Sequence, residues 1–485
     1  MPVTDTHKLY DKRLPDWLLV RDCVAGSSAI KARADSGAST TTTTGRGNAM
    51  SSLAGTRYLP PPNADDFSEE NQQRYAAYRK RASFANFTGN TRDGFLGMVF
   101  RQALALNLPT QVEYLTDNAT GGGLSLSQLA QDAVGDTLQT GRYGLLTDYP
   151  TAPENLTVEQ VRRLGLQANI LPYVAESIIN WRTAVVDGVR RLSLVVLCEP
   201  VEVVQDDGFG VVCEKQYRVL MMIEGVYHQQ VFNKDSVPIT QAITPRKFDG
   251  SLWAVIPFQF IGTNNNDETP DKACLYDIAE VNIAHYRNSA DFEESSFMVG
   301  QPTPWAAGLT QAWVDKAMKG GVMIGSRAVV VLPVGGSFGI AQAEPNQMPS
   351  KGMEAKEGQL VKIGANIIRD TSGDMRVDQV KIVHAGRTSK LGTLAGNVQD
   401  ALTQSVTWAL EFMGGEPVDD MVTVNREFFD SRIDPQEILA GVALLDRGLI
   451  AKVDVRTRLR KTEWIGATRT DEDIDGELEG ESPIE

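Results

Sequence analysis

The stretch HYRNSADFEESSFMVGQPTPWAAGL (285–309) restricts the possible folds more than any other part of the chain. It begins as a polar, helix-like run that carries both signs of charge. It then breaks at Gly300, and two prolines, Pro302 and Pro304, and Trp305 follow. Proline removes a backbone donor and fixes φ, so the helix spanning about 275–298 stops there and the chain leaves in a set direction. A second helical run, GMEAKEGQLVKIGANIIRD (352–370), comes soon after. Between them TQAWVDKAMKGG predicts a short helix with Thr310 as N-cap and Gly320 as stop. AVVVLP and FGIAQAE predict strands about a Gly-Gly turn. The chain goes out along one helix, makes a small module, and comes back along another.

Around this excursion the periodicity changes. Residues 8–34 read as helical, and SGASTTTTTGRGNAMSS (36–52) predicts a mobile loop, being too poor in apolar groups to offset its ordering entropy. Ser68 followed by Glu69 and Glu70 marks a helix start, with basic residues at Arg79–Arg81 suiting its C-terminal end. Leu126, Leu129, Ala130, Ala133, Val134 and Leu138 follow helical spacing up to Gly141, and GLLTDYP predicts a short buried strand. Residues 158–182 suggest two further helical pieces. From 189 to 260 β-branched and aromatic residues dominate, broken by DDG, EG and FDG, which predicts antiparallel hairpins. The strongest helix signal is the stripe Leu391, Leu394, Val398, Leu402, Val406, Ala409 and Met413, ended by Gly414–Gly415. Residues 434–464 read as two small helices about DRGLI.

A length of 485 residues suggests about three domains. The net charge is −15, and the tail DEDIDGELEGESPIE (471–485) holds eight acidic and no basic residues, leaving −7 elsewhere. This tail predicts disorder, and the acidic balance is not that of a general nucleic-acid binder. Cys23, Cys198, Cys213 and Cys274 form no C-x-x-C pair, which predicts reduced, mostly buried thiols. No signal peptide or bilayer-length apolar run is present, so a soluble chain outside the ordinary secretory route is expected.

Signatures of chemistry are missing from the sequence. It has no G-x-x-x-x-G-K-[ST], no G-x-S-x-G and no H-E-x-x-H. An EF-hand-like start at Asp471 puts Ser482 where the bidentate Glu should stand. His285 reads as a packing or interface residue, and Glu293–Glu294 as a solvated or subunit-facing edge. No catalytic residue, metal or cofactor is expected, although dispersed carboxylates could still meet in three dimensions.

Several phrases, in order over roughly residues 15–465, point the same way: YLPPPNADDFSEENQQRYAAYRKRASFANFTGNTRDGFLGMVFR, GRYGLLTDYP, SIINWR, LYDIAEVNIAHYRNSADFEESSFMVGQPTPWAAGL and IDPQEILAGVALLDRGLIAKVDVRTRLRK. Together they resemble the portal (head-to-tail connector) proteins of tailed bacteriophages. The five-threonine loop departs from the pattern, since that family passes more directly from its first helix to YLP. The resemblance implies an α+β, portal-type fold. An N-terminal wing would cover 1–270, helical over 1–188 and β-rich over 189–270. Stem helix 1 would be 271–298, a small α/β clip 299–345, and stem helix 2 346–370. A tunnel loop would follow at 371–388, a long helix and wing return at 389–430, a helical crown at 431–466, and the acidic tail at 467–485.

By that resemblance twelve copies would form a ring at one capsid vertex, a channel for double-stranded DNA in packaging and ejection. The mixed charges of the stem would then face ring neighbours. Partners would be the chain itself, the major capsid protein, the large subunit of terminase as motor, and a neck or tail adaptor. The location would be the virion, and the host cytoplasm during assembly. Arg369, Arg376, Lys381 and Arg387 become candidates for facing DNA; surface solvation, or pairing with Asp370, Asp374 and Asp378, is the alternative. Trp305, Trp313, Lys316 and Lys319 become candidates for clip contacts with motor or adaptor. A conduit must let DNA slide, so a mostly neutral or acidic lining with a sparse basic ring is expected. Another neck or capsid structural protein, or a mixed α/β enzyme, are the alternative readings.

Overall fold

The computed structural model describes residues 2–33, 57–63, 66, 68–150, 166–205, 208–301, 303–317, 332–342, 344, 346–368, 389–426, 428, 444–445, 447, 451–461, 465 and 469–480. The Thr-rich loop 36–52 and the tunnel loop 371–388 lie outside the described residues.

Helices α1 (Lys8–Ala25), α2 (Ser27–Ala32), α3 (Glu69–Arg81), α4 (Phe87–Val99) and α5 (Leu126–Thr140) form the N-terminal half of the body. Their boundaries have chemical causes. Ser68 Oγ accepts from Asn71 N at 3.2 Å and opens α3. Ser125 and Gln128 make a reciprocal capping box on α5, and Gly141, at φ 70°, closes it. A two-residue strand β1 (Ala105–Leu106) pairs near the far end of the chain with β11 (Val422–Thr423).

Strands β2 (Arg142–Asp148), β3 (Asn169–Val174) and β8 (Phe258–Gly262) form one antiparallel sheet, ordered β3-β2-β8. Strands β4 (Ile178–Val186), β5 (Val189–Val204), β6 (Val211–Ile223) and β7 (Val226–Asn233) form a second, a simple meander. Its two-residue turns, Asp187–Gly188 and Glu224–Gly225, hold positive φ at both positions. That conformation matches the twist of a tight hairpin and favours glycine in the second place.

Two expectations fail here. Residues 169–186 are strands joined by a one-turn 3₁₀ segment, not helices, because Asn169–Val174 pairs along its length with β2 and Ile178–Val186 with Val189–Leu197. Phe258–Gly262, expected with the hairpins, pairs instead with β2, placing Phe258, Phe260 and Ile261 in the core.

The remaining helices among the described residues are α6 (Tyr276–Val299), α7 (Gln311–Ala317), α8 (Met348–Ile368), α9 (Lys390–Met413), α10 (Lys452–Lys461) and α11 (Asp471–Gly480). Helix α9 is the central pillar, packing on β2, β8 and α5. Leu391, Leu394, Val398, Leu402, Val406 and Ala409 are fully buried, as the stripe predicts, while Met413 is half-buried. Ser389 caps its start, and Gly414, in the left-handed region, donates to Leu410 O at 2.7 Å.

The acidic tail corrects another expectation. Asp471–Gly480 is helical, with Thr470 and Asp473 capping each other. Its carboxylates crowd the first turn, where the helix dipole favours them. Arg456 of α10 pairs with Asp471 and Asp475, and Ile474 is buried. Of the crown span 431–466, α10 is the main described part. The four cysteines are free thiols, but Cys213 is exposed rather than buried.

Candidate functional site

The polar helix of the opening stretch is α6, and most of its polar groups face the chain's own body. Asn282 is fully buried; its Oδ1 accepts from Thr88 N at 3.1 Å and Thr88 Oγ1 at 2.9 Å, and its Nδ2 donates to Ala85 O at 2.8 Å. One heptad on, Ser289 Oγ accepts from Ser83 N at 2.9 Å and donates to Ser83 O at 2.7 Å. Positions seven apart lie on one helix face, so both fasten the link between α3 and α4. Arg287 donates to Tyr58 O, and Tyr78 donates to Asp291 at 2.6 Å. Burial and the Asp291 carboxylate both push the Tyr78 phenol upward.

Several charges on this helix therefore have partners within the chain. Glu294, expected on a solvated or neighbour-facing edge, pairs with Arg81, whose guanidinium also stacks 4.2 Å from the Phe297 ring centroid. Arg81 at the end of α3 thus meets Glu294 on α6, one turn beyond the Tyr78–Asp291 bond. His285 packs, as expected: it is buried, edge-on to Phe87, with Nε2 3.3 Å from Glu357 on α8.

Helix α8 runs antiparallel to α6. His285 meets Glu357, while Asn288 lies beside Gly352. Half of α8 is exposed, and Leu360 and Ile367 alone among its described residues are buried. Among the described residues, none between Ala290 and Leu360 joins the main hydrophobic core. The helix pair thus leaves the body, carries a small unit, and returns.

That unit contains β9 (Thr303–Ala307) and β10 (Ser337–Ala341), paired antiparallel with Trp305 opposite Gly339. The Trp305 ring lies over Gly339 so closely that a Cβ there would come within 2.8 Å of it. Only glycine leaves that space. Trp305 is 46% exposed, Trp313 on α7 is half-buried, and Lys316 is exposed. Lys319, Arg369, Arg376, Lys381 and Arg387 lie outside the described residues, as does Pro302.

Elsewhere, two phrases distant in sequence meet at one buried cation. Arg142, from GRYGLLTDYP, lies between the rings of Trp181, from SIINWR, at 4.2 Å and Phe260 at 4.0 Å. Its Nη1 donates to Glu268 O at 2.9 Å, while Nε and Nη2 have no hydrogen-bond partner among the described residues. Burial pushes its pKa down to about 9, against the pull of Asp267, Glu268 and Asp271. This contact stations the 263–271 loop directly before α6. Sequence inspection missed it, and the signal is an arginine beginning an otherwise apolar strand.

Dispersed carboxylates do assemble, but into a closed network. Arg218 donates to Glu199 at 2.7 Å and to Asp148 at 3.2 Å, while Tyr173 and Gln216 also donate to Glu199. Burial opposes ionisation of Glu199, yet these donors together hold its pKa below the usual range; burial pushes Asp148 up. The cluster ties β2 and β3 to β5, β6 and β7. Among the described residues no group of three or more His, Cys, Asp or Glu is arranged to hold a metal. A cleft of about 290 Å³ lies between α1 and α6, rimmed by Asp16, Arg57, Glu280 and Arg287. Among the described residues no helix is long and apolar enough to cross a membrane.

Comparison with known families matches residues 274–413 to a Domain of unknown function (DUF4055), the stretch from just before α6 to the end of α9. No curated protein matches the chain. Among solved structures, the chain is similar to one from the neck of a native GTA particle computed with C12 symmetry. The identity is 14% and the TM-score 0.37, over 78% of this chain and 91% of that one.

Proposed function

We propose that the chain is a portal-type ring subunit of a tailed bacteriophage, a structural component without catalytic residues of its own. Twelve copies surround a channel for double-stranded DNA. In this reading α6 and α8 are the stem, the unit from 299 to 345 is the clip, and 371–388 is the tunnel loop. Trp305, Trp313, Lys316 and Lys319 meet the packaging motor and later the neck adaptor; Arg369, Arg376, Lys381 and Arg387 face the DNA. The major capsid protein holds the wing, and no cofactor takes part.

The observation that carries the reading is the excursion itself: two antiparallel helices leave the main core between Ala290 and Leu360 and bear a small exposed sheet at their end. A ring subunit needs such an arm to reach a docking partner. The ordered resemblance to portal proteins, from YLPPPN to the final basic helix, points in the same direction.

Negative-stain imaging of the purified full chain tests the reading. Rings with an axial hole are expected; compact monomers or dimers at all concentrations overturn it. Within rings, reversing the charge of Arg376 and Lys381 together is expected to impair DNA packaging or retention. Unchanged packaging and retention remove the basic ring from the proposal.

A further inference from the structure

Strand β5 is 16 residues long, about 50 Å at ~3.3 Å per residue, and both of its ends project as hairpins. These ends break the rule that an antiparallel sheet shows water a polar face. At the β5–β6 end Val203 pairs with Val212 and Val204 with Val211, so successive residues put valines on both faces. All four are exposed, and Phe209 in the turn is 94% exposed. At the β4–β5 end Val186 pairs with Val189 and Val185 with Arg190. Val185 is 73% exposed, and Val186 and Val189 are exposed as well. Solvent alone does not explain valines on both faces of two protruding ribbons.

The two ends differ in charge. Residues 182–191 carry Arg182, Arg190 and Arg191 against Asp187, a net +2. Arg190 is partly engaged, with Glu268 at 2.6 Å and Thr183 Oγ1 at 2.9 Å. Arg182 and Arg191 are exposed and make no side-chain ion pair among the described residues. Among the described residues of the β5–β6 end, Glu202 and Glu214 stand against Lys215, a net −1. One ribbon thus ends apolar and basic, the other apolar and acidic.

We propose that these hairpin tips are the two halves of a head-to-tail contact between copies of this chain. The acidic β5–β6 tip of one copy packs on the basic β4–β5 tip of the next. Opposite charge selects that pairing over tip-to-like-tip contact, which would bring like charges together. Because the two halves differ, the contact is heterologous and propagates in one direction, as a ring requires. Closure into a ring rests on the proposed function; the pairing rests on the tips alone.

Cys213, exposed beside Glu202 on the acidic tip, provides a native probe. In the full chain, Val186→Cys is treated with a short bismaleimide under assembly conditions. A covalent ladder extending past dimer is expected on a denaturing gel, and none from wild type or from Val186→Cys/Cys213→Ser. Separately, Glu202→Arg/Glu214→Arg and Arg182→Glu/Arg191→Glu should each weaken self-association about tenfold, with unchanged thermal midpoints. All four changes in one chain should restore it. A product that stops at dimer, crosslinking of wild type through Cys213 alone, or rings that form without any ladder overturns the tip pairing. Rings without a ladder leave the portal reading standing and turn the tips toward a different protein. A ladder without closed rings supports the pairing and defeats the portal reading.

Discussion

Helices Lys390–Met413 and Tyr276–Val299 are both 24 residues long, and they are held by opposite means. The first is fixed by an apolar stripe, with Leu394, Val398, Leu402 and Val406 fully buried against β2, β8 and α5. The second buries Ile278, Ile283 and Tyr286 near its start, but its register depends on Asn282, Arg287, Ser289, Asp291 and Glu294. Hydrophobic burial is strong and non-directional; hydrogen bonds are weaker in net terms and directional. A pillar needs strength. A helix about 36 Å long, whose outer part carries a unit outside the core, needs a fixed direction at its root.

The largest expected effect is in the pillar. Leu402→Ala leaves a cavity in the centre of the core and should cost about 3 kcal/mol, read as a lower thermal midpoint for the whole chain. Asn282→Leu should cost about 2 kcal/mol, because Thr88 N–H and Ala85 C=O lose their buried partner. The two variants should differ in reach as well as size. Hydrogen exchange in Leu402→Ala should quicken throughout α9, β2 and β8. In Asn282→Leu it should quicken at the start of α4 and along α6, leaving α9 protected. Equal spread of exchange in both variants would break the distinction between pillar and arm.

This distinction also separates what the sequence discloses from what it hides. The α9 stripe and its Gly414 stop can be read directly, because local spacing and local chemistry coincide there. The out-and-back course of α6 and α8 is legible for the same reason, since glycine and proline punctuate it. The partners of α6 are not legible: Ser83, Ala85 and Thr88 lie about two hundred positions away, and nothing local to Asn282 or Ser289 names them. Charge was misread likewise, because Glu294 looks the same in sequence whether it faces water, a neighbour or Arg81. The 169–186 strands are hard to read because their own burial does not alternate strictly with period two. The valine-bearing hairpin tips are visible as β-rich sequence, but not as exposed on both faces until register is known.

A smaller effect tests the outer half of the arm. Ser289→Ala removes one donor and one acceptor from the link at Ser83 and should cost about 1 kcal/mol. Glu294→Gln, farther out and half-exposed, should cost less than about 1 kcal/mol and leave the thermal midpoint almost unchanged. Its consequence should lie in direction, not stability. Without the Glu294 charge, Arg81 keeps its stacking on Phe297 but loses its ionic restraint on the arm. Hydrogen exchange over 291–299 should quicken in low salt for Glu294→Gln, and raising salt should move wild type toward the variant, because screening weakens the same pair. If salt leaves wild-type exchange at 291–299 unaltered while Ser289→Ala alone loosens it, the outer half of α6 is steered by its hydrogen bonds without help from charge.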